Sequence, residues 1–166
     1  MKYSTAAVGI LAGFVLLGMH ACTSKEKTVT EGDQKVTVRE SGEKTDITVT
    51  TKDGETHRLS INEGEAPADW PADIPVLPGG RIVLSQTGEG GAMQQVSIES
   101  ESAKKDEALT FYKDVLASGG WTVENSLSTP VLEILTARKD GKEAMLQIAE
   151  EDDGTHIQII FNNKAQ

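Results

Sequence analysis

Between Lys35 and Ile61 the chain alternates apolar and polar positions. Val36 and Val38, Ile47 and Val49, and Leu59 and Ile61 each stand two apart, mostly with Thr between or beside them. Period two is the signature of a half-buried strand. Ser41-Gly42-Glu43-Lys44 and Lys52-Asp53-Gly54 interrupt the alternation as turns. A two-residue Asp53-Gly54 loop would place Ile47 opposite Ser60 and Val49 opposite Arg58. A three-residue Lys52-Asp53-Gly54 loop with Gly54 left-handed pairs Ile47 with Leu59 and Val49 with His57. The longer loop keeps one face apolar, which is what fixes register. Residues 35–62 are thus predicted to form a three-stranded β-meander whose thin apolar face is marginal alone. It is expected to dock on a neighbouring domain or to extend that domain's sheet.

Residues 63–80 hold four of the five prolines. Proline fixes φ and pushes its predecessor towards extended geometry, so this Pro-rich connector reads as a stiff strap. Trp70, Ile74, Val76 and Leu77 are expected to lie along the next domain. Residues 81–163 then read β-β-α-β-β-β-β. Arg81–Leu84 and Gln94–Ile98 are strands. Lys104–Ser118 is a helix with Ala108, Leu109, Phe111, Tyr112, Val115 and Leu116 on one broad face. Lys105, Asp106, Thr110, Lys113 and Asp114 fall outside that face. Ser102 is the expected N-cap and Gly119-Gly120 the stop. Trp121–Val123, Leu132–Ala137, Ala144–Ala149 and Thr155–Phe161 complete the strands. Lys139-Asp140-Gly141 and Asp153-Gly154 serve as hairpin turns. The expected fold class is α+β, an N-terminal β-meander followed by one helix packed on an antiparallel sheet.

The N-terminus has a different pattern. Lys2 precedes an unbroken apolar run of 14 residues from Ala6 to Met19, followed by His20. A positive start, a short apolar centre and small residues before a cut describe a signal peptide over residues 1–21. A permanent membrane helix needs about 20 apolar residues. Met19-His20-Ala21-Cys22 resembles the lipobox of bacterial lipoproteins, with Met19 where Leu is usual and His20 unusual for its place. The resemblance implies a diacylglyceryl thioether on Cys22 and acylation of its new amino terminus. Two or three acyl chains anchor durably where one would not. Thr23 after the cysteine is not the inner-membrane retention signal. The implied location is therefore the cell envelope, on the periplasmic face of the outer membrane if the source is Gram-negative. Residues 22–34, the lipidated Cys and a polar run, are expected to be a flexible stalk.

A second resemblance rests on Asp73-Ile74-Pro75, Pro78-Gly79, Phe111-Tyr112, Leu116 and Gly120-Trp121. This order is similar to a small domain of uncharacterised bacterial periplasmic proteins and lipoproteins, where a "P-x-D-x-P…PG" strap precedes two strands and an "FY…L…GW" helix end. It covers residues 70–163 and implies a fold outline without an activity. That pattern often has Ala where this chain has Gly80.

Composition narrows function mainly by exclusion. The chain of 166 residues carries a formal charge of −10, and only 4% of it is aromatic. Loss of residues 1–21 removes one Lys and no acid, leaving 15 basic against 26 acidic residues, or −11. Such a balance repels phosphate backbones, so no nucleic-acid partner is expected. One cysteine permits no intrachain disulfide.

Candidate chemistry is thin. His57 and His156 sit on separate strands without a second His at ligand spacing, so no metal is expected. Glu150-Glu151-Asp152-Asp153 reads as a solvated hairpin tip in preference to a Ca²⁺ site. Gly88-Glu89-Gly90-Gly91 lacks the Lys-Ser/Thr of a phosphate cradle. No serine lies in Gly-x-Ser-x-Gly. Trp70 and Trp121 are read as core, and exposure of either would mark a binding surface. No catalytic residue and no cofactor are assigned; the one modified residue is Cys22. The expected function is a non-enzymatic interaction or structural module of the envelope, partnered with the membrane through Cys22 and with an envelope protein. The alternatives are a small-ligand or cation-binding periplasmic protein and, third, a hydrolase.

Cys22→Ala should abolish membrane attachment, leaving a larger precursor or a released soluble form. Mass spectrometry of the wild-type N-terminal peptide checks this directly, and an unmodified thiol there would contradict it.

Overall fold

The computed structural model describes residues 24–61, 64–67, 69–88 and 91–163, so Cys22 and the expected signal peptide of residues 1–21 lie outside the described residues. In chain order the elements are β1 (Lys25–Glu31), β2 (Gln34–Ser41), β3 (Lys44–Thr51), β4 (Thr56–Ile61), β5 (Arg81–Gly88) and β6 (Met93–Ser100). Then come α1 (Lys105–Ser118), β7 (Thr122–Ser128), β8 (Leu132–Lys139), β9 (Lys142–Glu151) and β10 (Gly154–Asn162). All ten strands belong to one sheet, in the order β1-β2-β3-β4-β5-β6-β10-β9-β8-β7, and every pairing is antiparallel.

This corrects the expected α+β arrangement of a meander followed by a one-helix layer. The molecule is strand-dominated, a single continuous sheet carrying one short helix among the described residues. Two local causes stand out. The strap brings the chain back to the edge it left, so β5 pairs with β4 from Arg58↔Thr87 to Ile61↔Leu84 and the meander extends the sheet. Part of the expected stalk, Lys25–Glu31, turns at Gly32-Asp33 and pairs with β2 along its whole length. Every residue of β1 is exposed, and its alternation of charge with Thr gave no apolar period to read. Charged, polar edge strands discourage pairing with other sheets.

The longer β3–β4 loop is the one formed. Ile47 pairs with Leu59 and Val49 with His57, and Gly54 takes φ +84°. At the far end of α1, Trp121 N–H donates to Leu116 O (2.9 Å) and Gly120 N–H to Ala117 O (3.2 Å), with Gly120 at φ +77°. This is a Schellman stop, and only a residue that tolerates left-handed φ suits Gly120. The helix start differs from expectation: Lys104, not Ser102, is the N-cap residue, and its N–H donates to the Glu107 carboxylate at 3.0 Å. The reason lies one residue on. Lys105, expected outside the apolar face, is buried, and its ammonium donates to Thr129 O (3.1 Å) and Pro130 O (3.0 Å). Buried Glu133 stands 3.7 Å from that ammonium and accepts a hydrogen bond from Ser128 Oγ. This pair ties the start of the helix to the β7–β8 hairpin.

α1 packs on β7–β10 through Ala108, Tyr112 and Leu116. Tyr112 is fully buried, and burial pushes its hydroxyl well above its ordinary pKa; Phe111 is only half-buried. The opposing sheet face is apolar: Val96 and Ile98 on β6, Ile157, Ile159 and Phe161 on β10, Leu146 and Ile148 on β9, and Leu135 on β8. The strap covers the rest of this face with Ile74 and Leu77, and Trp70 meets Phe161 edge-on at 6.3 Å. At Gly80 a Cβ would fall 2.6 Å from Ile98 Cγ2, so the chain passes there only without a side chain. Asp73 pins the strap by accepting hydrogen bonds from Trp121 Nε1 (3.0 Å) and from the Lys139 ammonium.

Trp121 is 5% exposed and belongs to this core. Trp121→Ala should cost roughly 3–5 kcal/mol in chemical denaturation, and Phe111→Ala clearly less. A loss under about 1 kcal/mol for Trp121→Ala would place the indole outside the folding core.

Desolvation raises the Asp73 carboxyl, but the hydrogen bonds from Lys139 and Trp121 and the Lys139 charge together hold it below its ordinary value. A carboxyl depressed in the folded state contributes stability above its unfolded pKa of roughly 4, lost as pH falls through the folded value. Wild type should therefore exceed Asp73→Asn in stability at pH 7, and the gap should close on acidification below about 4. Denaturation midpoints of both proteins across pH 2–7 measure it.

Candidate functional site

The core face of the sheet changes character between β6 and β5. Along one row of paired residues, Phe161 of β10 is followed by Gln94 of β6, Thr87 of β5 and Arg58 of β4. Along the next, Ile159 and Val96 give way to Ser85, Ser60 and then Asp46 of β3. The change begins at an irregularity in β5. Ile82 pairs with Ile98, but the next aligned pair is Leu84 with Ser97, leaving Val83 as an extra residue. One inserted residue reverses which side chains face which side. Leu84 therefore turns to the outer face, and Ser85 and Thr87 take the core side.

The strap lies over this polar field and leaves a half-open groove of about 440 Å³. Its floor is Arg58 and Ser60 of β4, Ser85 and Thr87 of β5, and Gln94 of β6; Thr56 and Gly91 border it. Its wall is Glu65, Ala66, Pro67 and Asp69 of the strap. Ser60 is buried, and its hydroxyl donates to the Asp46 carboxylate. Gln94 is 2% exposed, and its Oε1 has no hydrogen-bond partner. Leaving a buried acceptor unpaired costs about 1–3 kcal/mol, so this amide is held at the groove against the interest of the fold. Among the described residues Arg58 forms no ion pair, although Glu65 and Asp69 share the groove with it.

The residues singled out from the sequence do not meet here. Cys22 lies outside the described residues. His57 and His156 are on the outer face of β4 and β10, with β5 and β6 between them. Glu150–Asp153 occupies the exposed β9–β10 hairpin tip. Gly88 closes β5 and Gly91 borders the groove, while Glu89 and Gly90 lie outside the described residues. Trp121 is core, and Trp70 packs half-buried against it, so neither is an open platform. The groove-lining residues were missed because Ser, Thr and Gln inside a strand read as solvent-facing. The one available signal was Ser85-Gln86-Thr87, where β5 loses every apolar residue while still pairing.

The chemistry on offer is binding. Neutral hydroxyls, one buried amide, one guanidinium and two strap carboxylates can orient a small polar molecule. No histidine lines the groove among the described residues, so Ser60 and Ser85 have no imidazole beside them. A family model described as START domain-like matches residues 82–154. The match runs from β5 to the first residue of β10 and includes Ser85, Thr87 and Gln94, but neither β4 nor the strap. No curated protein and no solved structure matches the chain.

Proposed function

We propose that this protein is a non-enzymatic binding module of the bacterial cell envelope, tethered by lipid on Cys22, that holds a small polar ligand in the groove between the strap and β4–β6. The unpartnered, buried Oε1 of Gln94 carries the reading, because it asks for a hydrogen-bond donor that the protein does not supply. Arg58 asks for an anionic group, and Glu65 and Asp69 on the opposite wall favour further donors or a cation. An ammonium or amide N–H at one end and a carboxylate at the other is the chemistry of an amino acid or short peptide. The START domain-like match, which covers the β5 and β6 part of the groove floor, agrees with a ligand-binding module. The lipid anchor rests on the Ala21-Cys22 pattern and the short apolar run before it.

Two substitutions separate this from a purely structural groove. Gln94→Leu removes the unpaired acceptor and should raise stability, by on the order of 1 kcal/mol, while abolishing binding. Arg58→Ala, on an exposed side chain, should leave stability unchanged and weaken binding about tenfold or more, as for loss of a charge-assisted hydrogen bond. Thermal shift and calorimetry with free amino acids and dipeptides measure both effects. A panel without any binder, or binding untouched by both substitutions, would overturn the assignment.

A further inference from the structure

The bulge at Val83 has a second effect, on the side of the sheet away from α1. Val36 and Val38 of β2, Ile47 and Val49 of β3, Leu59 and Ile61 of β4, and Leu84 of β5 all point to that outer face. They stand in register. Val38, Ile47 and Leu59 form one row, Val36, Val49 and His57 a second, and Ile61 and Leu84 continue a third. All are only partly buried, and among the described residues no helix or strap crosses them.

Charge marks the same field. The chain carries 26 acidic and 16 basic residues. None of them falls in the first two rows or at Gln86, Gln95 and Ile160; in the third row, which runs on through Ser97 and Gln158, the one charge is Glu40 at the β2 end, and Arg81 and Glu99 bound the field in the row beyond. We infer that this charge-poor field of the outer face, from β2 across to β10, is where two copies of the chain pack sheet against sheet.

Two copies at −10 or −11 repel each other, so they approach at least cost through a surface that carries little of that charge, with Glu40 at its edge. Size agrees. Six strands about 4.8 Å apart and about 20 Å long give roughly 600 Å² per copy, or roughly 1,200 Å² for the pair, within the range of specific interfaces. Alternating Val, Ile, Leu and Thr on a pleated face interdigitate well with the same face of another sheet. A lipid surface is the weaker match. Its usual anchors are Trp, Tyr and basic side chains, and these rows hold no Trp, Tyr, Lys or Arg. The association is isologous, so residues near its centre meet their own copies across a two-fold axis.

Cysteine crosslinking in membranes tests this on the full chain, since lipid consumes Cys22 and wild type is its own control. Ile47→Cys and Val49→Cys, on the outer face, should give a band of doubled mass on oxidation. Thr48→Cys, between them but on the opposite face, should not. Adding Leu59→Asp to Ile47→Cys should remove the doubled band while circular dichroism keeps the strand signature. Equal crosslinking from Thr48→Cys, or none from any of the three positions, would overturn the inference. So would quenching of a fluorophore attached at Ile47→Cys by brominated-lipid vesicles, which would put a bilayer on this face instead.

Discussion

One extra residue in β5 divides the sheet into two regimes. On the β6 side of Val83, aliphatic side chains face α1 and the strap; on the β4 side they face away from both. Because strand side chains alternate strictly, the reversal at β5 passes by register to β4, β3, β2 and β1 without further irregularity. Arg58, Ser60 and Asp46 share the core side for this reason, and Leu59 and Ile61 leave it. A register restored at Val83 would bring Leu84 against Val96 and turn Ser85 and Thr87 outward. The polar floor under the strap would then be lost.

The wall of the groove depends on a different set of contacts. The strap follows the sheet only because it is fixed at several points. Ile74 and Leu77 enter the core, Trp70 Nε1 donates to Ile74 O at 2.7 Å, and Asp73 holds both Trp121 and Lys139. Lys139 also lies 6.0 Å from the centroid of the Trp121 ring. Those anchors cluster at the helix-covered end of the strap. Glu65 and Asp69 lie beyond most of them, along the polar field, while Ala66 still packs partly buried against the core and Pro67 O accepts from Trp70 N–H at 2.9 Å.

Local signals were readable in the sequence; the assembly was not. Gly54, Gly120 and Asp140-Gly141 announced their turns because each needs a left-handed residue at a fixed place. The meander register followed from keeping Val, Ile and Leu on one side. Nothing in Arg81-Ile82-Val83-Leu84, an unbroken apolar run, showed which residue would be the extra one, and the groove follows from that choice. Lys105 was read as solvent-facing because its charge outweighs its position on the helix, whereas Glu133 and two backbone carbonyls 24 or more residues away make burial acceptable. β1 and most of β7 escaped notice as edge strands without an apolar period, every residue of which is exposed.

The two halves of the sheet are supported unequally, and this bears on both proposed surfaces. β6 and β10 to β8 are held by a ladder and by a buried core. β1 to β4 are held by the ladder and a few cross-strand side-chain contacts such as Ser60 with Asp46 and Arg39 with Glu26, joined to the rest through four residue pairs between β4 and β5. A ladder with no fully buried apolar side chain stabilises little against the backbone entropy of ordering, about 1–2 kcal/mol per residue. The N-terminal half is therefore the first to open in local fluctuations. A ligand that bridges Arg58 of β4 to Gln94 of β6 spans that junction, and a second sheet on the outer face would bury what the first leaves bare. Either would stabilise the strands that the fold itself supports least, by binding the paired form in preference to the open one.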